Sequence, residues 1–226
     1  MREKNVLNSP IDSFTFNGVL ILASSSPRRR QLLDQAGLAF TVEVADIDER
    51  LQAGEVPAKY VQRLALEKAQ AVWDRHRDKD DSGDRIIVLG ADTAVVCDGE
   101  VLGKPIDQAD ARRMLELLAG RTHQVLTGIA AVARNAMVSE VEITQVFFDL
   151  IDEEELVHYL MSGEPMDKAG AYGIQGYAAR WIPRIEGCYF NVMGLPLART
   201  MALLTRAQDG RNEAEPPPSR LPLSQM

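Results

Sequence analysis

Ser24-Ser25-Ser26-Pro27-Arg28-Arg29-Arg30 places three hydroxyls and three guanidinium groups directly after a short apolar run, Val19–Ala23. Ser26 is a good N-cap and Pro27 suits the first helical position, so a helix is expected here, through about Ala36, with Gly37 as its stop. A helix N-terminus offers unpaired N–H groups and partial positive charge; surrounded by hydroxyls and arginines, it could hold phosphate oxygens. A capped helix with solvated arginines is the plainer reading of the same residues. Gly90-Ala91-Asp92-Thr93 puts a carboxylate at the end of the most hydrophobic strand in the chain. An ionised Asp92 there needs a cation, a metal or backbone N–H groups, unless it simply caps a turn. Lys104, in Gly103-Lys104-Pro105, follows a hairpin expected around Asp98-Gly99 and would return beside Asp92. Alone, it is an ordinary exposed lysine.

Lys68 lies seven residues after Val61 and four after Leu64, on the apolar face of a helix expected from Pro57 to about Arg75. A lysine on that stripe either snorkels outward or meets a buried anion. Glu49, with Asp46 and Asp48, precedes this helix. Clustered carboxylates beside a phosphate site suit Mg²⁺ or Mn²⁺, although most charge runs are solvated surface. From Gly163 to Gly176 glycines are dense enough to allow close backbone approach, or simply an irregular loop. Within it Lys168 adds positive charge, and Gln175 could present its amide to a base edge.

These residues need a scaffold. Val19–Ala23, a strand in FTVEVADID, Arg85–Asp92, the hairpin Ala94–Cys97 with Glu100–Gly103, and the segments 122–134 and 137–150 read as β. Asp107 is expected to cap a helix through Leu118. Asp152 and Glu155 have capping-box spacing for a helix to about Met161, and a last helix starts near Pro196. Alternating strands and helices, with hairpins in the middle, predict an α/β fold: a mixed central sheet flanked by helices. Residues 1–18 form an N-terminal extension, 19–206 the domain, and 207–226 a polar, proline-rich linker.

Among 226 residues, 46% are hydrophobic and 26% charged, as in ordinary soluble proteins. No apolar run is long enough to span a bilayer. The net charge of −8 argues against a nucleic-acid partner, yet allows a small phosphorylated ligand held by a few focused cations. Two cysteines, Cys97 and Cys188, make neither a disulfide framework nor a zinc pattern, so a reducing, cytoplasmic setting is expected.

Taken in order, LASSSPRRRQLL, GADT, GKP, HQVLTG and DKAGAYGIQG…IEGCYFNVMGLPL resemble the Maf-like nucleotide pyrophosphatases from about Leu20 to Leu204. The departures are the N-terminal extension and Cys188, where the family more often has Ser. The resemblance implies the architecture shared with inosine triphosphatases and hydrolysis of a nucleoside triphosphate to monophosphate and pyrophosphate. It implies Asp92 as proton acceptor, with Glu49, Lys68 and Lys104 around the phosphates and a Mg²⁺ or Mn²⁺ ion held by Glu49 and Asp92. Ser24, Ser26, Arg29 and Lys168 join them as phosphate contacts. Arg28, Thr93 and Gln175 are implied to set base preference, in the pattern of the subgroup acting on dTTP and UTP. A homodimer, and a methyltransferase-like domain following the tail, are compatible with it. The rival readings are a pyrophosphatase for methylated guanine nucleotides and a non-catalytic nucleotide-binding regulatory module. Without a GxxxxGK[ST] segment, the chain is not a P-loop enzyme.

Overall fold

The computed structural model describes residues 18–77 and 85–211. The extension to residue 17, the segment 78–84 and the tail from 212 lie outside these residues. The remainder is the expected mixed sheet with helices on both faces.

Strand β1 (Val19–Leu22) leads into helix α1 (Pro27–Gln35), whose N-cap is Ser26. β1 pairs in parallel with both β2 (Thr41–Val42) and β3 (Ile86–Cys97). From β3 onward the pairing is antiparallel, through β4 (Glu100–Leu102), β5 (Thr122–Ala133), β6 (Ala136–Phe147) and β7 (Arg184–Glu186). The expected FTVEVADID strand shortens to two residues. Its neighbour β1 ends at Leu22 and turns into α1, so the chain beyond Glu43 has no edge to pair with.

β3 also departs from expectation. It is one continuous strand, and Asp92 lies in its middle rather than at its end. β5 covers one edge of β3 from Val88 to Val96 without interruption, which keeps the strand extended. On the opposite edge β1 stops at Leu89 and β4 begins only at Val95. Gly90–Ala94 is therefore bare along that edge, and the C-terminal ends of β1 and β4 approach it from opposite directions. Such a break in an open sheet is where α/β folds place ligands.

Strand alternation sorts the core. Ile86, Val88 and Gly90 face helix α2 (Pro57–Trp73), which buries Val61, Leu64, Ala65, Lys68, Ala69 and Val72 at helical spacing. Ile87, Leu89 and Ala91 face α1 and α6 (Leu197–Gln208). Val95 and Cys97, on the same face, meet α3 (Gln108–Leu118) and α4 (Glu153–Met161). Asp152 caps α4 through the Glu154 N–H, but the capping box is not closed. Glu155 instead accepts from Trp181 Nε1 and pairs with Arg180. The glycine-rich stretch forms short 3₁₀ turns at Glu164–Asp167 and Ala169–Ala171, and a third follows it at Tyr177–Trp181. Strand β7 and helix α5 (Tyr189–Met193) were not expected, being too short for a periodic signal. α6 runs two residues past the expected domain boundary.

α2 lies unusually close to the sheet, and two glycines admit it. A Cβ at Gly90 would overlap the Ala65 carbonyl, and one at Gly128 would overlap that of Val61. Gly128→Ala should therefore cost at least about 2 kcal/mol, measured by urea unfolding. His123, buried between Phe148 and Tyr172, sets a second expectation. Burial pulls its pKa down to about 4. The unfolded chain takes up this proton below about 6.5 and the folded chain only near 4. The contribution is thus complete above pH 6.5 and is lost as pH falls through that window, by roughly 3 kcal/mol at most. His123→Phe should remove that part of the stability-versus-pH slope.

Candidate active site

A cleft of about 450 Å³ opens over the bare edge of β3. Lining it are Ser24, Ser26, Arg28 and Arg29 from the start of α1, Glu49 from the following loop, and Lys68 from α2. Asp92 and Thr93 come from β3, Lys104 from the segment after β4, and Lys168 and Gln175 from the 3₁₀ region.

The alternation of β3 separates two halves. Asp92 faces α2, where Lys68 Nζ donates to its Oδ1 at 2.7 Å and lies 2.8 Å from Glu49 Oε1. Both Lys68 and Asp92 are 8% exposed, whereas Glu49 is exposed. The inward lysine has met its anion. Of the acidic run only Glu49 reaches the cleft; Asp48 is taken by Arg50. Tyr60, which the sequence reading passed over, donates its hydroxyl to the Glu49 carbonyl at 3.0 Å and so fixes that loop. Burial, with the charges of Asp92 and Glu49, pushes the Tyr60 pKa up to about 12, so it remains a donor. Lys104 is exposed and has no ion-pair partner among the described residues.

Thr93 faces the other way, towards α1. Arg29 is buried there and each of its three nitrogens donates to protein: Nε to the Gly194 carbonyl at 2.9 Å, Nη1 to Ser24 Oγ at 2.9 Å, and Nη2 to Thr93 Oγ1 at 3.0 Å. Burial lowers its pKa from the usual arginine range, with the Asp92 charge acting in the opposite sense. Arg29 thus braces three walls of the cleft that it also lines. Ser26 caps α1, and Ser24 accepts from the Ser26 N–H at 3.3 Å. Arg28 donates to Asp167 Oδ2 at 2.8 Å and to its carbonyl at 3.0 Å, while Lys168 donates to Asp167 Oδ1 at 2.7 Å. Burial acts to raise the Asp167 pKa, but the bonds from Lys168 and Arg28 outweigh it and keep the carboxylate ionised. Asp167 was missed, since it acts by holding Arg28 and Lys168 in place. Gln175 is exposed at the rim.

Residues 19–207 match the model of the family described as Maf-like protein. The chain belongs to that family. A dTTP/UTP pyrophosphatase of Koribacter versatilis is 50% identical over 188 residues, covering 83% of this chain and 94% of its own. A protein of the same name from Symbiobacterium thermophilum is 54% identical over 187 residues, with 83% and 93% covered. One from a Geobacillus strain is 50% identical, with 83% and 97% covered. The motifs of this Maf-like chain thus converge on one cleft from six separate segments. No helix among the described residues is long and apolar enough to cross a membrane.

The Lys68 contacts predict an asymmetry. Lys68→Met leaves Asp92 buried without a cation and should cost about 3 kcal/mol. Asp92→Asn leaves Lys68 paired with Glu49 and should cost less than about 1 kcal/mol. Urea midpoints of the two variants check this.

Proposed function

We propose that the protein hydrolyses dTTP and UTP at the α-phosphorus, giving the monophosphate and pyrophosphate. The observation that carries this reading is the Lys68–Asp92–Glu49 cluster at the bare edge of β3, beside the N-terminus of α1 and the exposed Lys104. The names of the relatives agree with it.

Asp92 orients the attacking water and accepts its proton. Lys68 keeps the Asp92 carboxylate fixed at the cleft floor. Lys68 and Lys104 offset the triphosphate charge, and Ser24 with the N–H groups at the start of α1 receives phosphate oxygens. Lys168 and Arg28, joined through Asp167, line the opposite wall. No group of three or more His, Cys, Asp or Glu side chains able to hold a metal exists among the described residues. Two carboxylates with substrate phosphates are nevertheless the usual donor set for Mg²⁺, so Glu49 and Asp92 fit the ion and would hold Mg²⁺ or Mn²⁺. Bound there, the ion would polarise the phosphate and lower the pKa of a coordinated water. We place this activity in the cytoplasm, where the free thiols of Cys97 and Cys188 stay reduced.

Asp92→Asn preserves shape and removes the base, so pyrophosphate release from UTP should fall by roughly 10²–10⁴-fold. Near-normal turnover would remove Asp92 from the mechanism. Gln175 offers an amide donor to a carbonyl of uracil or thymine, and glutamate in its place would set a carboxylate against that carbonyl. Gln175→Glu should lower kcat/KM for dTTP and UTP relative to GTP by about 1–3 kcal/mol. An unchanged ratio would leave base reading to Arg28 and Thr93.

A further inference from the structure

Thr93 stands at the head of a buried hydrogen-bond chain. It is paired across the sheet with Thr127, and their hydroxyl oxygens are 3.0 Å apart. Thr127 is fully buried, and its hydroxyl is also 3.0 Å from the carbonyl oxygen of Asn191. That carbonyl can only accept, so the single proton of Thr127 is spent on it. The proton between the two threonines must then come from Thr93. Thr93 Oγ1 also accepts from Arg29 Nη2, a group that only donates. One proton and one lone pair of Thr93 are thus committed, and a single lone pair is left for a ligand.

We infer that Thr127 is a positioning residue for specificity: with Arg29 it holds the Thr93 hydroxyl as an acceptor only, so the cleft demands a hydrogen-bond donor there. This rests on the nucleotide reading given above. Thr93 lies on the opposite face of β3 from Asp92 and Lys68, the face shared with Ile174 and the loop bearing Gln175. The donor is therefore the N3–H of uracil or thymine. Cytosine presents a bare N3 acceptor at the same place, which would meet the Thr93 lone pair and leave both unpaired. Thr127 does not line the cleft and makes this choice only through Thr93.

The test compares kcat/KM for UTP and CTP in wild type, Thr127→Val, Thr127→Ser and Thr93→Val, with melting temperatures recorded for each. Wild type should prefer UTP. In Thr127→Val the Thr93 proton loses its acceptor and can turn into the cleft, so the UTP:CTP ratio should fall by about tenfold or more, with CTP improving relative to UTP. Thr127→Ser restores the hydroxyl and should restore the ratio. Thr93→Val leaves the Thr127–Asn191 bond in place, which keeps the test open if Thr127→Val does not fold. It should lower UTP turnover more than CTP turnover. Equal losses on both substrates in both valine variants, or a wild type indifferent to the base, would overturn the inference. Absence of pyrophosphate release from any pyrimidine triphosphate by wild type would instead overturn the underlying reading.

Discussion

An ionised carboxylate in the middle of an apolar strand must be paired, because leaving it alone costs several kcal/mol. Asp92 occupies that position, and the cation that satisfies it comes from a helix rather than from its own sheet. α2 must therefore lie close against β3 and β5, and Gly90 and Gly128 remove the side chains that would prevent it. The same approach buries Val61, Leu64, Ala65, Ala69 and Val72. Core packing and the Lys68–Asp92 pair consequently share one determinant. A change that pushes α2 outward weakens the core and separates the pair together.

The second constraint is the change of partner along β3. β1 and β4 each cover part of one edge, and the gap between them exposes backbone and side chains of both sheet faces to one cleft. A strand ordinarily sends neighbouring residues to opposite environments. Here the gap brings Asp92 and Thr93 to the same cleft from opposite faces of the strand. One side carries lysines and carboxylates suited to phosphates and their counterion. The other carries Thr93, held by Arg29 and Thr127. Arg29 also reaches Ser24 and the Gly194 carbonyl, so the start of α1, the middle of β3 and the end of α5 keep fixed relative positions.

Much of this was legible in the sequence wherever a local rule dominates. The Ser26 cap, Pro27 and Gly37 bound α1 as expected, and the apolar stripe of α2 correctly turned Lys68 inward. What escaped depends on pairing over long sequence distances. The continuity of β3 through Asp92 is imposed by β5, some thirty-five residues away, and no local signal distinguishes it from a strand that ends. Arg29 was expected as a phosphate contact, with no sign that it would be buried. Its burial follows from helix phase against β3 and α5, which local composition does not reveal. Asp167 and Tyr60 act by holding other residues in place, Arg28 and Lys168 in one case and the Glu49 loop in the other. Positioning roles of this kind have no residue-type signature.

The central claim is that Asp92 directs water at the α-phosphorus. Hydrolysis of UTP in water labelled with heavy oxygen, followed by mass analysis of both products, tests it most directly. Attack at the α-phosphorus puts the label in uridine monophosphate and leaves pyrophosphate unlabelled, with Asp92→Asn slowing that step. Label in pyrophosphate, or release of inorganic phosphate with uridine diphosphate, would contradict the account.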